Sequence, residues 1–148
     1  MDIKVVATNR KARHEYFLLE TYEAGIALKG SEIKSIRAGQ VSLAQAYVRV
    51  DGREAWLVDC HIAPYEQAGL FNHDPQRPRK LLLHRKEIYK LYDQVRQKGV
   101  TIVPLRVYLK HGLAKVEIAV AKGKKLYDKR QAIARRDIQR EIERNLKR

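Results

Sequence analysis

Between Lys122 and Arg130 the chain sets four lysines and an arginine around one aromatic ring, in the run Lys122, Gly123, Lys124, Lys125, Leu126, Tyr127, Asp128, Lys129, Arg130. Cations at that density neutralise phosphates, and the Tyr127 ring offers a face on which a base can stack. Two further stretches carry the same chemistry. Asn9, Arg10, Lys11, Ala12, Arg13 and His14 read as a basic arm ahead of the first strand, and Arg77, Arg79, Lys80, Arg85 and Lys86 follow a long polar loop. Tyr65 and Phe71 lie in irregular sequence, where stacking on an unpaired base is physically reasonable, whereas Trp56, Tyr89 and Tyr92 are assigned to the core. Glu32 is unexpected in so basic a setting. Either its carboxylate accepts from a guanine edge or a ribose 2′-hydroxyl, or it sits at a helix start for the sake of the helix.

Catalytic constellations are thin. His14, His61, His73, His84 and His111 never fall as pairs at helical or hairpin metal-ligand spacing, so no metal site and no cofactor is expected. His73 and Asp74 could hold a base or a metal, but beside Pro75 an Asx-type turn is the simpler account. Ser31 and Ser42 lack the glycine elbow of a hydrolase, and no glycine-rich phosphate loop joins a strand to a helix. Cys60, the single cysteine, lies among Leu57, Val58 and Ile62, where it reads as a small buried hydrophobe in a reducing compartment. An enzyme is therefore not expected. A phosphodiester-cleaving protein would need His73 or His84 beside a lysine, and a nonspecific single-strand binder would need only the charge.

The elements that must position these residues are mostly β. Tyr16–Tyr22 and Ile26–Leu28 read as a hairpin turning at Glu23, Ala24 and Gly25, after which Ser31 can cap a short helical turn that Gly39 stops. Tyr47–Val50 and Glu54–Ile62 flank Asp51-Gly52, a strong hairpin signal. Pro64, Gly69, Pro75 and Pro78 break the stretch up to Lys80 into a long loop. Ile88, Leu91, Tyr92 and Val95 are spaced for one amphipathic helix over His84–Lys98, closed by Gly99. Leu105, Val107 and Leu109 alternate with Arg106, Tyr108 and Lys110, and His111-Gly112 turns the chain into Val116, Ile118 and Val120. One helix before a closing hairpin, without a βαβ rhythm, predicts a mainly β chain with some α: a small closed antiparallel β-barrel resembling an oligonucleotide-binding fold.

The 148 residues carry a net charge of +14, and eleven basic against four acidic residues from Lys122 onward supply half of it. Such an excess favours a polyanion, nucleic acid before an anionic membrane surface. The division expected is a body over 1–121 that binds RNA and a flexible basic C-terminal tail over 122–148. In that tail Ile138, Ile142 and Leu146 form one narrow apolar stripe, too little to hold a helix of this length down without a partner. No apolar run is long enough to span a membrane and no signal-peptide core opens the chain, so a cytoplasmic protein is expected.

The same stretches resemble the SsrA-binding protein (small protein B) family of bacteria. The resemblance rests on Asn9-Arg10-Lys11-Ala12-Arg13-His14, Gly30-Ser31-Glu32-Ile33-Lys34-Ser35, Asn72-His73-Asp74-Pro75, Arg79-Lys80-Leu81-Leu82-Leu83-His84 and Ala121-Lys122-Gly123-Lys124-Lys125 followed by Asp128-Lys129-Arg130, in order from about residue 7 to residue 130. It implies a partner of transfer-messenger RNA in trans-translation, the rescue of ribosomes stalled on messages that lack a stop codon. An oligonucleotide-binding-like barrel would grip the elbow of that RNA's tRNA-like domain, so that protein and RNA together imitate one tRNA. The resemblance carries Arg10, Lys11, Arg13, Glu32, Lys34 and Asn72 onto or near the RNA face, together with His73, Lys80, His84, Lys122, Lys124 and Lys125. Tyr127, Asp128, Lys129, Arg130, Ile138 and Ile142 would enter the decoding centre and the vacant message channel, against small-subunit RNA, the tail folding there into a helix. The chain would act as a monomer, reaching alanyl-tRNA synthetase and elongation factor Tu through the same RNA. Two positions depart from the family: Ile138 stands near its usual tryptophan, and Leu70 replaces an asparagine after Gly69.

Overall fold

The computed structural model describes residues 3–97 and 99–124. In chain order the elements are β1 (Ile3–Thr8), α1 (Arg10–Glu15), β2 (Tyr16–Ile26), α2 (Gly30–Arg37), β3 (Val41–Ser42), β4 (Tyr47–Val50), β5 (Ala55–Val58), β6 (His61–Ile62), a 3-10 turn (Glu66–Phe71), β7 (Arg79–Leu82), α3 (Arg85–Arg96), β8 (Val100–Lys110) and β9 (Leu113–Gly123). Three strands of eleven residues, β2, β8 and β9, form the spine. β8 and β9 are joined at His111 and Gly112, whose φ values of 52° and 78° are the two left-handed positions that a twisted two-residue hairpin turn requires.

Pairing is antiparallel throughout and returns on itself. β2 follows β9 from Tyr16↔Gly123 to Gly25↔Lys115, then Gly25 and Ile26 pair with Leu82 and Leu81 of β7. β7 pairs with β5, β5 with β4, and Val48 of β4 meets Ile102 of β8, which closes six strands into a ring. β1 lies on the far half of the same β8 edge, from Arg106 to Lys110. Inward residues Ala24, Ile26, Val48, Leu57, Leu81, Ile102, Val116, Ile118 and Val120 fill the ring, and Leu91 of α3 and Ile36 of α2 join this core. The two-stranded pair β3–β6 extends the core beside α2 through Leu43 and Ile62.

A second, smaller apolar cluster lies outside the ring, where Ala12 of α1 is buried against Val103, Leu105, Ala119 and Ala121. The path into α1 is fixed by an irregularity. The β8–β9 register shifts between Pro104 and Arg106, and proline has no N–H to give to a ladder. There the Asn9 side-chain amide donates to the Pro104 carbonyl at 2.9 Å, and the Asn9 N–H to the Leu105 carbonyl at 2.8 Å.

Several expectations hold: the β4–β5 and β8–β9 hairpins, the α3 helix and the irregular stretch between β6 and β7. Others are corrected. The basic arm at Asn9–His14 is the helix α1, and a strand, β1, precedes it. The expected first hairpin is one continuous strand, β2, because Gly25 changes partner instead of turning: it is opposite Lys115 on one side and Leu82 on the other. The second strand of the Asp51-Gly52 hairpin ends at Val58, since Asp59 adopts φ 59°, and His61–Ile62 pairs with β3. Ser31 does not cap α2; Lys29 holds that position. Tyr89, assigned to the core, is 51% exposed.

Gly25 marks the place where β2, β7 and β9 crowd together. A Cβ built there would lie 3.1 Å from the Leu82 Cβ, which is fixed by the strand and cannot rotate away. Gly25→Val should therefore destabilise by about 1–3 kcal/mol through overpacking, although valine is the better strand residue. Urea unfolding of the two proteins checks this, and a stabilised valine variant would contradict the close approach.

Candidate nucleic-acid interface

Basic residues gather beside two open depressions of the surface. The first is built on α1, whose single buried residue, Ala12, holds the helix flat on the sheet and leaves Arg10, Lys11, Arg13 and His14 exposed. Lys124, at the end of β9, donates from Nζ to the Arg13 carbonyl at 3.0 Å and stands 5.2 Å from the centre of the Phe17 ring. Lys122, opposite Phe17, is also exposed. The first and third basic stretches of the sequence thus meet in space. Thr8, Asn9, Arg10, Arg13, His14, Leu105, Arg106 and Glu117 line an open depression of about 670 Å³ beside them. Within it Arg106 bonds Glu117 at 3.2 Å and covers the Tyr108 ring at 4.8 Å, while its Nε has no hydrogen-bond partner among the described residues. Nothing in the sequence alone singled out Arg106 except its alternation within β8.

A second depression, of about 570 Å³, lies across the ring. Arg53, Lys80, Arg85 and Lys115 contribute its cations, Glu23 and Glu87 its acids, and His84 also lines it. Lys80 reaches Glu54 at 3.5 Å, and His84 caps α3, its backbone N–H donating to the Glu87 carboxylate at 3.1 Å. Lys34, exposed on α2, places its ammonium 5.5 Å over the Tyr65 ring.

Two further predicted RNA residues, Glu32 and His73, face inward. Glu32 is fully buried. Its Oε1 accepts from the Lys29 N–H at 2.7 Å, which makes it a helix-start carboxylate, and its Oε2 accepts from Arg79 Nε at 2.6 Å. Arg77 donates to both oxygens. Arg79 is equally buried and spends its other N–H groups on the carbonyls of Cys60, Pro75 and Asp74, at 2.6, 3.1 and 3.3 Å. His73 is also internal: Nδ1 bonds the Ser31 hydroxyl at 2.8 Å and Nε2 the Ile62 carbonyl at 2.9 Å. With the carbonyl able only to accept, Nε2 carries the proton and the Ser31 hydroxyl donates to Nδ1. His73 is buried, with both ring nitrogens bonded inside the protein. Asn72 closes the loop before it, accepting the Tyr65 N–H at 3.0 Å and donating to the Tyr65 carbonyl at 2.8 Å. Asp74 forms the expected Asx turn with the Gln76 N–H at 2.9 Å.

These contacts correct the surface roles expected of Glu32 and His73 and of the Arg77–Arg79 stretch. A strand period would have found Arg79, since it shares the inward face of β7 with Leu81. Burial pushes the Cys60 thiol up to about 11, consistent with an inert core residue. Among the described residues no cluster of three or more histidine, cysteine, aspartate or glutamate side chains could hold a metal, and no helix is long and apolar enough to cross a membrane. Lys125, Tyr127, Asp128, Lys129, Arg130, Ile138 and Ile142 lie outside the described residues.

Burial raises the Glu32 carboxyl, but bonds from Arg77, the Lys29 amide and Arg79 together outweigh it, so the native value lies below the ordinary 4.5. The stability this pairing contributes is full above pH 4.5 and is lost as pH falls through the lowered native value. Glu32→Gln strands the buried Arg79 charge and should cost about 3–5 kcal/mol at neutral pH. It should also flatten the acid limb of the stability curve. Denaturant unfolding across pH measures both, and a loss under about 1 kcal/mol would contradict the network's structural weight.

Comparison with known proteins gives a consistent answer. The family model described as SmpB protein matches residues 6–148. An SsrA-binding protein of Roseiflexus sp. (strain RS-1) is 68% identical over 145 residues, covering 97% of this chain and 92% of its own. One from Chloroflexus aggregans is 64% identical over 147 residues, covering 99% and 93%. A chain from the solved structure "tmRNA-SmpB: a journey to the center of the bacterial ribosome" superposes with a TM-score of 0.66 at 52% identity, over 79% of this chain and 82% of that one. With a family model spanning all but the first five residues and relatives this similar along nearly their whole length, the chain belongs to the SmpB protein family.

Proposed function

We propose that this protein is a non-enzymatic RNA-binding factor of trans-translation: it grips the tRNA-like domain of transfer-messenger RNA and accompanies it to the stalled ribosome. The observation that carries the reading is the junction of α1 with Lys122 and Lys124, which makes one continuous cationic surface from two stretches more than a hundred residues apart. Among the described residues none of Arg10, Lys11, Arg13, Lys122 and Lys124 is ion-paired to an acid, which leaves them open to phosphates. The ring of six strands is read as a small barrel of the oligonucleotide-binding type, with the RNA-binding body over 1–121 and the segment 122–148 as the part that enters the decoding centre. The names of the SsrA-binding relatives and of the tmRNA-SmpB structure support this partner. His73, one of the two histidines that a phosphodiester-cleaving enzyme could have used, is buried and bonded internally. The setting is the cytoplasm.

Binding to a tRNA-like RNA should fall steeply with salt, because each cation on a phosphate releases a counterion. Roughly six contacts give a log-log slope near −5 on duplex-like RNA. Filter binding between low and physiological salt tests this, and a slope weaker than about −2 would remove the basic face from the mechanism. Charge reversal at Lys124 should weaken binding strongly. A protein ending after Arg130 should keep nearly full RNA affinity yet fail to support peptide transfer on stalled ribosomes. Lost RNA binding in that truncation would sink the division between body and tail.

A further inference from the structure

The 3-10 turn Glu66–Phe71 holds two large apolar side chains in water, Leu70 at 100% and Phe71 at 91% exposure. Ordinarily such side chains would fold back onto the core. Here the backbone is built to prevent it. Gly69 adopts φ 54° and ψ −119°, a conformation in which any side chain is strained, and it turns the chain immediately before Leu70. Asn72 then ties the end of the turn to Tyr65 through both its amide N–H and its carbonyl oxygen. One residue further on, His73 is locked between Ser31 and Ile62. Phe71 therefore projects from a segment fastened on both sides, which removes much of the entropy cost of ordering it on a ligand.

The surroundings say what that ligand is. Lys34 lies over the ring of Tyr65, the residue to which Asn72 ties the end of the turn. A flat apolar ring mounted beside a cation matches an unpaired base, whose π face lies next to a phosphate. We infer that Phe71 is a stacking surface for one unpaired base of a structured RNA, with Lys34 as a phosphate contact. The inference rests on the RNA-binding reading above and adds a specific non-ionic contact to it.

The test compares full-length wild type with Phe71→Tyr, Phe71→Leu and Phe71→Ala, binding a tRNA-like RNA and poly-uridine across a salt series. Stacking predicts that tyrosine stays within about twofold, while leucine and alanine both lose on the order of tenfold or more. The log-log salt slope should stay at the wild-type value in every variant, because no phosphate contact is removed. Melting temperatures should match, since the ring covers no core. A leucine variant as good as wild type would overturn stacking in favour of simple apolar contact. An alanine variant as good as wild type would hand the site to a protein partner. If wild type shows no preference for the tRNA-like RNA, the function proposed above fails, yet the Phe71 series on poly-uridine still decides whether this ring stacks.

Discussion

The Glu32 carboxylate has no contact with water, and everything between β6 and β7 is arranged around it. Taking a carboxylate and a guanidinium out of water costs several kcal/mol for each ion, and Coulomb attraction offsets this only when the geometry is good and the leftover donors are satisfied. Both conditions are met. Glu32 receives the Lys29 amide and two guanidinium groups, while Arg79 distributes its remaining N–H groups over three backbone carbonyls. The planar fork of arginine can do this, whereas a lysine ammonium could not reach the carboxylate and three carbonyls on separate turns. The segment over 63–78, with little regular structure, is thereby given a fixed shape. Asn72, His73 and Phe71 inherit their positions from it.

How much of this was legible follows from the range of the interactions. The β4–β5 hairpin, α3 and the β8–β9 hairpin are local: their turns and periodicities lie within one stretch of sequence, so reading along the chain finds them. β1 and α1 are not local. β1 exists because it pairs with β8, about a hundred residues later, and α1 is a six-residue helix with one apolar residue, formed because Ala12 finds Ala119 and Ala121. No amphipathic stripe could announce it. Gly25 misled for the same reason: a glycine in a strand pattern signals either a turn or a close approach of another backbone, and only the ring tells which.

At the candidate interface the cations are not equivalent. Arg10, Lys11, Arg13, Lys122 and Lys124 reach the surface together, whereas Arg77 and Arg79, with the same charge and similar neighbours, are held by Glu32. Sequence composition counts charges without saying which are already paired. A single acid in a basic stretch was the available warning, and its meaning turned on a contact across 45 residues to Arg77.

The arrangement also separates two kinds of work. Polar residues facing inward, Glu32, Arg79, His73 and Ser31, have their hydrogen bonds satisfied within the protein and so fix shape without offering contacts. Residues facing outward on α1 and at the end of β9 offer charge but make few bonds that would hold them in one conformation. Phosphate contacts tolerate that freedom, because a point charge needs proximity more than angle. Stacking does not tolerate it, since a ring must lie parallel to a base at van der Waals distance. It is consistent with this physics that the cations stand on an exposed helix face, while the exposed ring of Phe71 is mounted on the segment that the buried ion pairs make stiff.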